Sequence, residues 1–351
     1  MDFTFSDDQL TFREAISRFL MTEAAPEMLR EIWETDVGRS PDLRNKIAAQ
    51  GLTALSVPDA FGGLGMDDVA WSLMTQELGY YAIPDSLADT AYLACGLIAG
   101  LDGRVAERGE WLRGIADGSL RVAIGHPVNP WVADAAHADL LLLANGDDVH
   151  AVARAQVDVQ VHRSIDASRR LAQVSWQPHA ATRVAQGEAG RLLWAQTVSR
   201  GALSVAGQLL GLAQRMLDLS VDYAAQRKQF GKPIGSFQAV KHHLADVATQ
   251  LEFAKPVLYR AAYALAQGEQ NAHVWVSQAR LACCEASWLA ARHAIQVHGA
   301  MGYTWEVDLQ MFMKRAWALD NAWGDRALHK TRVAAHVLSG APLGPGHTFE
   351  D

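Results

Sequence analysis

Apolar residues recur along this chain with two rhythms, and the places where the rhythm changes divide it into three blocks. From the N-terminus to about Gly118 the spacing is helical. Leu10, Phe12, Ile16, Phe19 and Leu20 share one side of a predicted helix, with Ser6 placed to cap it. Gln50-Gly51-Leu52 then leads into a glycine-rich loop, Val57-Pro58-Asp59-Ala60-Phe61-Gly62-Gly63-Leu64-Gly65. Another helix follows through Met74, Glu77, Leu78 and Gly79, and Pro84 and Gly100 punctuate further helical stretches.

The period drops to two between about Ser119 and Gln186. Ala138–Ala144 is a short apolar run closed by Asn145-Gly146-Asp147, and Val149–Ala153, Val157–Val161 and Ala172–Trp176 alternate. These are strand signals, and they predict a small antiparallel β domain. Helical spacing returns at Gly187. One pattern runs through Leu203, Leu210, Leu217 and Val221. A second opens at Ser236 and passes Val240, Leu244, Val247 and Leu251, with Pro256 expected to bend or interrupt it. A third lies between Asn271 and Gly299, and a fourth follows Asp308. Four long amphipathic helices with short connections predict a bundle. The expected fold class is mainly α with a small β domain, divided as 1–118, 119–186 and 187–351.

Composition narrows the function classes. Half of the 351 residues are apolar and a fifth are charged, and the net charge is -8. This balance argues against a general nucleic-acid binder, which needs a basic stripe. The acidic start, Met1 to Asp8, lacks the apolar core of a signal peptide, and no apolar run reaches membrane-spanning length. The three cysteines, Cys95, Cys283 and Cys284, have no disulfide or zinc spacing and read as buried thiols. The expectation is a cytoplasmic protein with no nucleic-acid or membrane partner.

Candidate chemistry gathers at Tyr223–Gln238. A helical pattern ends in Arg227-Lys228, Phe230-Gly231 and Lys232-Pro233 force a turn, and a new helix begins. Arg227 offers a planar fork of donors suited to phosphate oxygens. The first turn of the next helix offers free amides and a dipole favourable to anions. Phe230 is suited to packing on a ring or on the core, and Gln238 both donates and accepts. Further on, Gly299, Ala300 and Gly302 allow close backbone approach to a ligand.

These segments, in this order, resemble the acyl-CoA dehydrogenase family over almost the whole chain. The marks are Phe3 to Leu20, the Val57–Gly65 loop, Glu77-Leu78-Gly79, the Arg227–Gln238 turn, and Gln296-Val297-His298-Gly299-Ala300-Met301-Gly302-Tyr303-Thr304. The resemblance implies a helical domain, a small β domain and a four-helix bundle. It implies FAD as cofactor and an acyl-CoA thioester as substrate, with electrons passed to an acceptor such as an electron-transfer flavoprotein. It also places Arg227, Gln229, Phe230, Phe237, Gln238, Gln296, Gly299, Ala300 and Gly302 around the FAD of a neighbouring subunit.

The resemblance fails where the proton is taken. Abstraction α to a thioester needs a carboxylate in a dry pocket, worth about 10²–10⁴ in rate. Most members place a glutamate just before a glycine after the last long helix, where this chain has Trp323 and Gly324. A minority place it upstream of the flavin turn, where this chain has Gly201. Asp325 and Asp320 are the weak substitutes, with capping or solvated carboxylates as the plainer reading of each. The Thr-Glu-Pro…Gly-Ser-Asp loop of the family is also missing: Ala123–Asp134 keeps only a proline and a late aspartate. Trp131 and Trp176 are candidate flavin-stacking residues, or core or interface aromatics. Arg200 and Arg215 are the unspecific candidates for coenzyme A.

A chain that keeps what acts on a neighbour's flavin and lacks its own base fits one subunit of a hetero-oligomer, here a heterotetramer with a sister subunit. Gly302-Tyr303-Thr304-Trp305-Glu306 followed by Lys314-Arg315-Ala316 resembles actinobacterial pairs that degrade steroid side chains. The alternatives are a homo-oligomeric dehydrogenase with a relocated carboxylate, and a non-catalytic scaffold of the same fold.

Overall fold

A computed structural model describes residues 4–35, 38–84 and 86–340. Phe3 and the last residues of the chain lie outside this range. Helices α1 (Asp7–Glu23), α2 (Pro26–Glu34), α3 (Pro41–Ala49) and α4 (Asp68–Tyr80) come first. Ser6 caps α1 as expected: it accepts from the Gln9 amide at 3.2 Å while Gln9 Oε1 accepts from the Ser6 amide at 3.0 Å. A π-helical stretch, Asp89–Ala94, runs into α5 (Cys95–Ala99), and α6 (Arg108–Ala116) closes the block.

The β block is a two-sheet sandwich. Strands β1 (Val122–Gly125), β3 (Leu140–Asn145), β4 (Asp148–Ala153) and β7 (Arg183–Ala185) form one sheet in the order β1-β3-β4-β7. Strands β2 (Val132–Ala133), β6 (Leu171–Ser175) and β5 (Asp158–His162) form the other. Both faces of β3 are covered. Leu140 and Leu142 join the main core, and Leu141 and Leu143 join a small core between the sheets with Val152, Val157 and Ala172. This double burial explains why its sequence is a continuous apolar run rather than an alternation.

The expected antiparallel domain needs correction, because β1 pairs with β3 in parallel. A parallel pair requires a crossover. Residues 126–139 supply it, carrying β2 into the second sheet. The four-residue β1 is too short to show a period.

Helix α7 (Gly187–Gln226) is 40 residues long and is the axis of the molecule. A short hairpin, β8 (Lys228–Gln229) and β9 (Lys232–Pro233), leads to α8 (Gln238–Ala266). Then follow α9 (Ala272–His298), α10 (Leu309–Leu319) and α11 (Arg326–Leu338). Helices α7 to α10 make the predicted bundle. Two details differ from expectation. Helix α8 starts at Gln238, with Ser236 in a 3₁₀ turn, and it continues through Pro256. Pro256 is exposed, on the side of α8 where a forfeited backbone hydrogen bond costs least.

Helix α4 lies so close to α7 that side chains are excluded between them. A β-carbon on Gly211 would fall 2.7 Å from the Tyr80 amide nitrogen and nearer still to the Gln76 carbonyl oxygen. Gly79 faces the Gln208 backbone in the same way. Gly211→Ala therefore forces two packed helices apart and is expected to lower unfolding stability by about 1–3 kcal/mol in urea titrations. A change within error would show that the helices separate freely.

Candidate functional site

The predicted cofactor residues form an open surface at one end of α7. Tyr223, in the last turn of α7, stacks on His298, in the last turn of α9, with ring centroids 4.2 Å apart. That contact brings the Arg227–Gln238 turn beside the Gln296–Gly302 segment. His298 itself is buried, its Nδ1 bonded to the Ala294 carbonyl at 2.8 Å, so it packs rather than faces a ligand. Arg227, Gln229, Phe230, Gln238, Gln296, Gly299 and Ala300 are exposed, Phe237 is half-buried and Gly302 is buried.

The turn has been built outward against its own preferences. Phe230 and Gly231 link β8 to β9 at φ 52° and 79°. Two positive values suit a tight hairpin. A bulky residue there is strained, and strain of this kind costs about 1–3 kcal/mol. The Phe230 ring is 91% exposed and touches Phe237 edge-on at 6.1 Å, so it is not the core anchor it would be in an ordinary turn. Among the described residues nothing bonds or pairs with the Arg227 guanidinium. Lys232 Nζ lies over the Phe237 ring at 4.4 Å. The amides of Gln238, Ala239 and Val240 at the start of α8 donate to no backbone carbonyl, and no side chain caps the helix. A free guanidinium, three unmatched amides at the positive end of a 29-residue helix and exposed aromatic rings fit a ligand that carries phosphates and flat rings.

The other half of the site is elsewhere. Gly201 lies on α7, 25 residues before Gln226, which is about 37 Å along a continuous helix. The two sequence positions expected to hold a base, Gly201 and Trp323, are in contact. A β-carbon on Gly201 would lie 2.7 Å from Trp323 Cε3 and closer to Cγ and Cδ2. Trp323 is 4% exposed and sits at φ 56°, followed by Gly324 at φ 100°. Its amide donates to Asn129 Oδ1 at 2.7 Å, and its carbonyl accepts from His329 Nε2 at 3.2 Å.

The substitute carboxylates are committed. Asp325 Oδ1 caps α11 by accepting from the Leu328 amide at 2.8 Å. Asp320 accepts from Trp288 Nε1 at 2.8 Å, from Arg326 Nε at 3.0 Å and from the Cys284 thiol. Burial alone would raise its pKa, but the Cys284 and Trp288 hydrogen bonds and the Arg326 and Arg280 cations outweigh burial and hold it below the usual range. A base needs the opposite shift. Cys284 is no nucleophile either, because burial pushes it up to about 11. Cys95 and Cys283 are buried as well, and burial takes each to about 12.

Two spaces flank Trp323. An outer cleft of about 570 Å³ lies between the 127–131 loop and the 318–328 segment. Trp131, 41% exposed and 4.2 Å from the His162 ring, lines it, so it is neither a core residue nor pressed into a closed pocket. Trp176 packs beside His150 at 5.0 Å, against the small core. An inner chamber of about 50 Å³ lies behind the indole and is lined by Arg39, Arg169, Arg170 and Arg315. Arg315 NH1 bonds Asp166 at 3.1 Å, and Arg39 Nε bonds Asp134 at 3.2 Å. Asp134, the late aspartate of the loop region, also accepts from the Ser86 amide at 3.1 Å and is a structural anchor. Burial alone would raise its pKa, yet Arg39 and Ser86 hold it low. None of this set was legible in the sequence, because each partner comes from a different block. Arg200 and Arg215 are taken up internally, Arg200 by Asp68 at 3.0 Å and Arg215 over the Tyr80 and Phe312 rings.

His329 clasps the Trp323 loop and stays neutral in the fold. Burial, with Arg280 and Arg332 nearby, takes it from 6.5 to about 4. The unfolded chain therefore binds a proton more readily, and stability present above about pH 6.5 is lost as pH falls towards 4. The loss is on the order of 3 kcal/mol. His329→Gln is expected to flatten that limb of a stability–pH curve, and an unchanged slope would remove His329 from the account.

Comparison with known proteins matches this architecture. The acyl-CoA dehydrogenase N-terminal domain model matches residues 6–119, and the C-terminal domain model matches residues 188–338. The chain is 31% identical to acyl-CoA dehydrogenase IpdE2 of Mycolicibacterium smegmatis, covering 95% of this chain and 100% of that protein. It is 30% identical to IpdE2 of Mycobacterium tuberculosis, covering 88% and 91%. Among solved structures it is similar to the ChsE4-ChsE5 complex of Mycobacterium tuberculosis, with TM-score 0.85, 23% identity and coverage of 97% and 100%. It is likewise similar to butyryl-CoA dehydrogenase of Megasphaera elsdenii, with TM-score 0.84, 20% identity and coverage of 96% and 100%. The chain belongs to the acyl-CoA dehydrogenase family.

Proposed function

We propose that this chain is the subunit without a base in a hetero-oligomeric, FAD-dependent acyl-CoA dehydrogenase, and that it completes the flavin site of a sister subunit. The observation that carries this reading is the separation along α7. The phosphate-ready turn and the base position lie about 37 Å apart on one rigid helix, beyond the span of a single extended dinucleotide. One copy therefore cannot bring both to one ligand, and the turn serves a neighbour. A neighbour that is a second copy would meet Trp323 and Gly201 where a carboxylate is needed. A sister chain that keeps its base supplies what is missing.

When bound, FAD accepts the hydrogen removed from Cβ of the acyl thioester. This chain contributes Arg227 and the amides of Gln238, Ala239 and Val240 to the phosphates. Phe230 and Phe237 offer ring surfaces, Gln229, Gln238 and Gln296 offer hydrogen bonds, and the bare backbone of Gly299, Ala300 and Gly302 permits close approach. Electron-transfer flavoprotein, or an acceptor like it, takes the electrons.

The likeness to the ChsE4-ChsE5 complex and to the Tcur3481-Tcur3483 steroid acyl-CoA dehydrogenase favours pairing and a steroid-derived acyl-CoA. The hydrogen bonds that commit Asp320 and Asp325 count against a relocated base in a homo-oligomer. The strained, exposed Phe230 counts against a scaffold that has abandoned flavin.

Co-expression with a sister subunit is expected to yield a yellow, active complex. Arg227→Ala in that complex removes a charge-assisted contact and is expected to weaken FAD retention about 10- to 100-fold, read by flavin released on dilution. Unchanged retention would mean that the turn does not hold the cofactor.

A further inference from the structure

We propose that Trp323 and Gly201 form a plug and socket that bars acyl groups from this chain's own cleft. The outer cleft and the inner chamber share two lining residues, Arg169 and Ala322, so they are neighbours across a thin wall. Trp323 lines the chamber at that wall. Its ring rests on Gly201, where even a methyl group would collide with it. The loop is clamped from two directions, by Asn129 on the β crossover and by His329 on α11. These clamps hold a tryptophan at φ 56°, a conformation that bulky residues avoid. An accidental core substitution would not need a glycine partner, a strained backbone and two polar clamps from separate elements.

The chamber behind the plug has been converted as well. At about 50 Å³ it is far below the roughly 300–1,000 Å³ of a ligand pocket, and four arginines line it. Arg315 and Arg39 are already paired there with Asp166 and Asp134, so a hydrocarbon chain could find room only by disrupting buried ion pairs, which is costly. The cleft thus ends at the wall it shares with the chamber, formed by Arg169 and Ala322, with Trp323 on the chamber side. An acyl group that must run deeper than the cleft would have to displace that wall and Trp323 behind it. The inference rests on the proposed function in one respect: the acyl group refused here is the one the sister subunit's cleft receives.

The test is carried out on the full-length chain and needs neither flavin nor a partner. Trp323→Ala should lower Tm and leave an indole-shaped hole that opens to the cleft. Indole at millimolar concentration should then bind the variant, raise its Tm and give NMR saturation-transfer signals, while wild type shows none of these. Trp323→Leu, a milder truncation, should respond in the same direction if the alanine variant folds poorly. Gly201→Ala should lower Tm in wild type and have at most about half that effect in the Trp323→Ala background. The proposal is overturned if the folded variants take up no indole, if wild type binds it equally, or if the two substitutions are additive. Indole uptake alongside a flavin-free complex would leave the plug standing and sink the pairing. The converse results would do the reverse.

Discussion

The Trp323 indole lies on the bare backbone of Gly201, and much of the surrounding architecture keeps it there. The contact needs α7 to pass with no side chain at that point. It needs the chain between α10 and α11 to turn through two positive φ angles. It needs Asn129 to arrive from the β crossover and His329 from the last helix. Two blocks of sequence meet in one packed cluster. In a close-packed interior such a cluster has no room for a partial reversion. A glutamate at either position would meet the residue now at the other, and neither carboxylate would find a dry, adjustable pocket.

The charges around the chamber follow the same logic. A fatty acyl tail calls for apolar walls, yet this chain buries Arg39–Asp134 and Arg315–Asp166 pairs there. Buried pairs are poor sources of net stability, but removing one partner is costly because the other is left uncompensated. Once in place, such pairs fix the packing of the N-terminal block, the β block and α10 together. Opposite character prevails at the far end of α7. Among the described residues nothing bonds or pairs with the Arg227 guanidinium there, and a strained hairpin presents the Phe230 ring to solvent.

Much of this was legible in the sequence. The Ser6 cap, the long helices and the Phe230-Gly231 turn are local events, governed by hydrogen bonds and dihedral preferences within a few residues. Periodicity and turn chemistry report such events directly. The parallel β1–β3 pair was not legible, because a four-residue strand buried on both faces carries no alternation. Of the two outcomes expected at Pro256, interruption does not occur, because the proline lies on the solvent side of α8. At the site, the lack of an acid at 323 and 201 could be read from order and spacing. The contact between those two positions could not, since nothing in one sequence pairs a tryptophan with a glycine on a helix far earlier in the chain. The Asn129 and His329 clamps and the arginine-lined chamber were hidden for the same reason.

On the proposed function, this chain lends groups to a flavin seated on a different polypeptide and does not turn over substrate by itself. Native mass spectrometry of the complex co-purified with a sister subunit tests this most directly, because it counts chains and FAD together. The account predicts one FAD for each pair of unlike chains, and little flavin on this chain purified alone. A homo-oligomer of this chain carrying one FAD per copy, and dehydrogenating an acyl-CoA, would contradict it.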